Sequence, residues 1–162
     1  MFGFVNRLWP SSLRQRGRGV PGNTGDADPI RLLVITQDDD FFLFIHRVAS
    51  GCGWETRLAR TVERGLQVLD EFRASVAIYD WPTADQDWRC DVDRLAAISD
   101  RPCVLLASRV DDEYLSAELV RHGGFDVIPR AAGADRFIRN IQFAGFFRKN
   151  SQMARGGQPL PR

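Results

Sequence analysis

Asp80 ends the apolar run Val76-Ala77-Ile78-Tyr79, which places a carboxylate at the C-terminal end of a buried strand. In an open α/β sheet, ligands and reacting groups gather at that edge. An aspartate there can accept a phosphoryl group, and the transfer calls for Mg²⁺ held by neighbouring carboxylates. Those carboxylates are expected after the first strand, where the chain reads Leu32-Leu33-Val34-Ile35-Thr36-Gln37-Asp38. The acceptor is present, whereas the pair that would hold the metal is neutral and only Asp38 follows it. As a bland alternative, Asp80 is a turn residue before a proline-containing loop, a common place for aspartate.

Little else in the chain carries chemistry. The three cysteines, Cys52, Cys90 and Cys103, are scattered and form no CxxC pair, so reduced thiols fit better than a disulfide framework or a zinc site. Two histidines, His46 and His122, are too few for a histidine-rich metal centre. No nucleophile–base pair or glycine-rich phosphate loop is evident, and an enzyme is not expected. Asp39 and Asp40 are assigned to a helix start, where negative charge is favoured, while Asp38 is open between that role and the site. His122 reads as a helix-end residue rather than a catalyst.

These residues must be positioned by a small domain. The chain has 162 residues, 44% hydrophobic and 27% charged, which suits one soluble domain with tails. Net charge is +1, giving no overall drive toward nucleic acid or membrane. Residues 1–29 are expected to be a flexible, locally basic tail. It carries Arg14, Arg16 and Arg18 among helix-breaking glycines, with Phe2, Phe4 and Trp9 as weak anchors for a membrane surface or partner. Three arginines are too sparse for tight nucleic-acid binding. The opening residues lack a continuous apolar core, which argues against a signal peptide, and no membrane span is present. A cytoplasmic protein is expected.

Five apolar strands alternate with helical patterns through residues 30–148, and residues 149–162 are expected to form a flexible C-terminal tail. The strands are predicted at Arg31–Ile35, Trp54–Ala59, Val76–Tyr79, Cys103–Leu106 and Asp126–Pro129. Thr61 and Asp112 start helices, and Gly51 and Gly123-Gly124 stop them. Alternating strands and helices imply parallel pairing with helices on both faces. The fold class is therefore α/β, a flavodoxin-like (βα)5 doubly wound parallel sheet. With strand order 2-1-3-4-5, the ends of strands one and three meet at the switch point, bringing Thr36, Gln37, Asp38 and Asp80 to one crevice.

On these residues the chain resembles the receiver domain of bacterial two-component response regulators. The resemblance covers residues 30–148. It rests on Val104-Leu105-Leu106-Ala107-Ser108-Arg109, on Asp111-Asp112-Glu113, on Gly123-Gly124-Phe125-Asp126-Val127-Ile128-Pro129-Arg130, and on Tyr79-Asp80-Trp81-Pro82 with Asp87-Trp88-Arg89. The resemblance implies that Asp80 is the phosphoacceptor, and that Asp38 and Asp80 are what remains of a Mg²⁺ site. Arg130 stands where the family has a lysine that contacts the phosphoryl group. Ser108 lies at the right distance before it to be the hydroxyl contact, unless Ala107 is the aligned residue and the hydroxyl is lost. Thr36 and Gln37 fall at the acidic pair, and Val127 falls where many receivers carry a switching aromatic.

The departures favour a degenerate receiver over a working phosphorylation switch. Losing two carboxylates weakens a divalent-cation site, and an arginine fork is not a lysine ammonium. Arg130 is equally able to pair permanently with Asp80 and mimic a fixed signalling state. The resemblance implies a stand-alone signalling module in a phosphorelay pathway, acting through protein–protein contact, with a sensor histidine kinase or another signalling protein as partner. A homodimer through the helix 4–strand 5–helix 5 face is a further expectation, since Phe143, Phe146 and Phe147 lie partly outside the buried stripe of Phe137, Ile141 and Ala144. Those phenylalanines serve equally well as cover for the sheet edge or the N-terminal segment. The alternative function is a phosphorylation-independent scaffold or dimerisation module.

Overall fold

A computed structural model describes residues 29–81, 87–98, 102–110 and 112–156. The proposed N-terminal tail up to residue 28, Pro82, Asp111 and the last six residues lie outside the described residues. The elements follow in strict alternation: β1 (Arg31–Ile35), α1 (Asp39–Gly51), β2 (Glu55–Ala59), α2 (Val62–Phe72), β3 (Val76–Asp80), α3 (Trp88–Ala96), β4 (Cys103–Ser108), α4 (Glu113–Arg121), β5 (Asp126–Pro129) and α5 (Ala134–Gly156). All strands pair in parallel, in the order β2-β1-β3-β4-β5. This is the expected doubly wound sheet.

Burial on both faces explains the near-continuous apolar strands, since a parallel sheet is covered by helices on each side. Every residue of central β3 is buried, whereas edge strand β2 alternates exposed and half-buried positions before Ala59. Successive side chains point to opposite faces, so each strand feeds two cores. Leu33, Ala77, Leu106 and Val127 pack with Leu69, Val92 and Leu119 of α2, α3 and α4. Leu32, Ile78, Leu105 and Ile128 pack with Ile45 of α1 and Phe137 and Ile141 of α5. Full burial of one such side chain stabilises by roughly 1.5–3 kcal/mol, so these two layers dominate the folding energy.

The helices start where short polar side chains can accept from free backbone N–H groups. Asp38, Thr61, Asp87 and Asp112 each cap a helix, accepting from Phe41, Arg64, Arg89 and Tyr114 respectively. Two boundaries differ from expectation by more than one residue. Strand β4 runs on to Ser108, because its last two residues still pair with β3 and β5. Helix α5 continues to Gly156, so the expected loose tail from residue 149 is helical through its first eight residues. Residues 150–155 include Gln152, Met153, Ala154 and Arg155, which favour helix, and the glycine pair comes only at 156 and 157.

Candidate functional site

The C-terminal edge of the sheet gathers four polar side chains from four points in the chain. Ile35 pairs with Tyr79, which sets Thr36 beside Asp80. Asp38 follows as the cap of α1, and Arg130 leaves the end of β5 with its backbone N–H donating to Ser108 O at 2.7 Å. Thr36 and Asp80 are both buried, at 2% and 5% exposure, so their polar atoms must find partners within the protein.

Those partners are each other and Arg130. Thr36 Oγ1 donates to Asp80 Oδ2 at 2.6 Å. Arg130 Nε donates to Asp80 Oδ1 at 2.9 Å, and its Nη2 reaches Asp80 Oδ2 at 3.3 Å. The same Nη2 donates to Asp38 Oδ2 at 2.6 Å. A planar guanidinium suits this two-point grip on a carboxylate better than an ammonium does. Its flat face lies over the Phe41 ring, 4.7 Å from the centroid, adding a cation–π contact. Asp38 Oδ1 meanwhile accepts from the Phe41 N–H at 3.0 Å. Asp38 thus fills both roles left open for it, helix cap and site residue.

The electrostatics follow from this geometry. The hydrogen bond from Arg130, then that from Phe41 N–H, holds the Asp38 carboxyl below its ordinary value. Partial burial pulls the Arg130 guanidinium downward, but the carboxylates of Asp38 and Asp80 reverse that and leave it above the ordinary arginine value. Neighbouring Tyr79 donates to Asp91 Oδ2 at 2.7 Å, and burial first, with Asp91 second, pushes its phenol well upward. A cavity of about 160 Å³ adjoins Asp80 on the α2 side, lined by Thr36, Gln37, Arg60, Glu63, Tyr79 and Asp91.

Ser108 is not brought into this network. Its hydroxyl accepts from Val110 N–H at 3.0 Å, tying down the turn after β4. Asp80 pairs in register with Ala107, and Ala107 belongs to the same core layer as Ile78, the layer on Asp80's face. Alternation sends Ser108 to the other face. The hydroxyl that reaches Asp80 therefore comes from Thr36 on β1, not from β4. Asp39 pairs with Arg60, and His122 caps α4 as expected.

A receiver resemblance implies Mg²⁺ at Asp38 and Asp80, and the donor set does not fit it. A divalent cation needs several oxygen ligands free to turn toward it. Both oxygens of Asp80 and both oxygens of Asp38 already accept hydrogen bonds, and a guanidinium lies between the two carboxylates. Among the described residues, no group of three or more acidic, histidine or cysteine side chains gathers as a metal cage.

Sequence reasoning placed Thr36 at the crevice but missed its role, and it missed Phe41. Strand order brings Thr36 to the crevice, but there it stands for a lost carboxylate, and its bond to Asp80 comes from the register of β1 against β3. Phe41 is a core residue of α1, and nothing in its spacing marks it as a platform for Arg130.

No protein-family model matches the chain, and no curated protein matches it. Solved structures do. The receiver domain of the Francisella response regulator 1452 superposes with a TM-score of 0.63 at 19% identity, covering 73% of this chain and 97% of that one. NtrX from Brucella abortus gives 0.71 at 20% identity, covering 81% of this chain but 30% of its own. A CheY-like receiver domain protein from Methanospirillum hungatei gives 0.67 at 13% identity over 76% of this chain and 99% of that one. The fold is that of response regulator receiver domains.

Proposed function

We propose that this chain is an atypical receiver-like signalling module that acts through protein–protein contact in a phosphorelay setting, with its pocket held in one state by Arg130. The observation that carries this reading is the grip of one guanidinium on both Asp80 and Asp38. In a conventional receiver, a phosphoryl group and a metal would supply the charges at this edge. Here the arginine that stands in place of the family's lysine takes both oxygens of the acceptor and bridges to Asp38, and Thr36 donates the remaining hydrogen bond.

Incubation of the full chain with a small phosphodonor and Mg²⁺, followed by intact mass measurement, tests the reading. Wild type is expected to show no stoichiometric adduct. A clean single adduct that disappears in Asp80→Asn would establish a working switch instead. Arg130→Lys serves as the sensitised case, because a lysine frees one side of Asp80.

The contact surface belongs on α4 and α5, where Tyr114, Val120, Phe143, Phe146 and Phe147 are exposed. Phe143 and Phe147 also flank Phe125, just before edge strand β5, with centroids 5.7 and 5.3 Å away. A second copy of the chain is the expected occupant. Sedimentation across a concentration series should then show a monomer–dimer equilibrium that Phe146→Asp abolishes, and a strict monomer throughout would rule out self-association.

A further inference from the structure

We propose that Phe41 is the positioning residue of the Asp80 pocket, holding both ions that close it: Asp38 through its backbone and Arg130 through its ring. This role rests on the reading of Arg130 as the group that closes the pocket, and it is tested on the guanidinium itself. Asp38 caps α1, and Phe41 is the third residue of that helix, a position whose N–H faces a capping side chain. Its N–H donates to Asp38 Oδ1 at 3.0 Å, which leaves Oδ2 to accept from Arg130 Nη2 at 2.6 Å. The ring of the same residue lies against the guanidinium, its centroid 4.7 Å from the central carbon.

The hydrogen bonds alone set the guanidinium plane loosely. One nitrogen, Nη2, serves two carboxylates from different elements, and its reach to Asp80 Oδ2 is 3.3 Å, just past the usual range. An arginine also has a long side chain whose rotamer freedom is lost when it is held. A flat ring against the flat face of the ion favours one plane, that in which Nε meets Asp80 Oδ1 and Nη2 spans both acids. The ring itself is fixed from behind. Phe41 is 6% exposed, and it meets Phe137, a fully buried residue of α5, edge to face at 6.1 Å. Core packing between α1 and α5 is thus passed to the pocket through one side chain.

Closure of the pocket is then a property of the first turn of α1 and not of Arg130 alone. Phe41→Leu separates the two roles of the residue, since it keeps the backbone N–H and the cap but removes the π face. Phe41→Tyr keeps both. Phe44 supplies the matching control one turn further along the helix: it meets the same Phe137 ring at 5.4 Å, also edge to face. Phe44→Leu removes a ring from the same aromatic cluster and leaves the cap and the contact beneath Arg130 in place.

Nitrogen-15 NMR of the full chain tests this through the exchange of arginine Nε–H protons with water, Arg130 being identified by the signal that Arg130→Lys removes. Wild type should show a slowly exchanging Arg130 Nε–H with a nuclear Overhauser contact to the Phe41 ring. Phe41→Leu should speed that exchange by about tenfold, the scale of one desolvated cation–π contact. Phe41→Tyr and Phe44→Leu should each stay within about twofold of wild type, because both leave a ring under the guanidinium. Unchanged exchange in Phe41→Leu, equal acceleration in Phe44→Leu, or no contact to the ring in wild type would each overturn the positioning role, the last without any variant at Phe41. A phosphoryl adduct on a wild-type chain whose Arg130 signal is slow and in contact with the ring would instead retire the closed-pocket reading and leave the positioning role standing.

Discussion

At the scale of single residues, Arg130 is the member whose loss matters most. Truncating one partner of a buried ion pair strands the other charge, at a cost of about 3–5 kcal/mol. Arg130 keeps 18% of its side-chain exposure, so Arg130→Ala should cost about 3 kcal/mol, at the lower end, in urea unfolding. Arg130→Lys should cost less, because an ammonium still meets one carboxylate. Equal stability of all three proteins would contradict the pairing. Acid provides a second check. The Asp38 carboxyl is held below the ordinary aspartate value, chiefly by Arg130. Its contribution is therefore present above that value and lost as pH falls through the lower folded one. The urea midpoint should decline below about pH 4, the ordinary carboxylate range, and Asp38→Asn should flatten that decline. An acid slope unchanged in the variant would remove Asp38 from the account. Asp80, Asp38 and Arg130 were legible in the sequence because strand ends and caps fix their places locally. The place of Thr36 was legible from strand order, but its bond to Asp80 was not, since the two lie 44 residues apart and only strand register aligns them.

At the scale of elements, caps and stops were the readable part. Thr61 and Asp112 announce α2 and α4, and Gly123-Gly124 announce the end of α4. Gly123 has φ +82°, and a Cβ there would lie 2.9 Å from that of Ala96. Gly123→Ala should cost about 1–2 kcal/mol from left-handed strain alone, with the clash adding to it, as measured by chemical denaturation. A loss below a few tenths would mean that the turn relaxes freely. The length of α5 was harder to read. A glycine-rich, proline-rich ending suggested a loose tail, yet the residues before Gly156 are helix formers that the composition of the whole segment concealed. That extra length is what carries Gln152 to the N-terminal edge of the sheet, beside Arg31 and Arg73. Gly145 permits the approach that anchors this helix, since a Cβ there would meet Ile30 Cδ1 at 2.9 Å.

At the scale of the molecule, the two core layers share one sheet and should not melt separately. Leu32 and Leu33 are adjacent, fully buried and committed to opposite layers. Leu32→Ala and Leu33→Ala should each cost about 2–5 kcal/mol and still unfold in one transition. Two transitions in either variant would show that the layers act as independent units. The fold class was legible because alternation of apolar runs with helical periods leaves few topologies open. One feature of the site reaches beyond stability. When the counter-ion of an acidic pocket arrives from outside, the activated molecule has a lifetime, set by how quickly that ion or group departs. Arg130 is covalently part of the chain and cannot diffuse away. On the proposed reading there is no clock to reset, and synthesis and degradation take over as the dial: signal strength would track how many copies of the protein the cell holds.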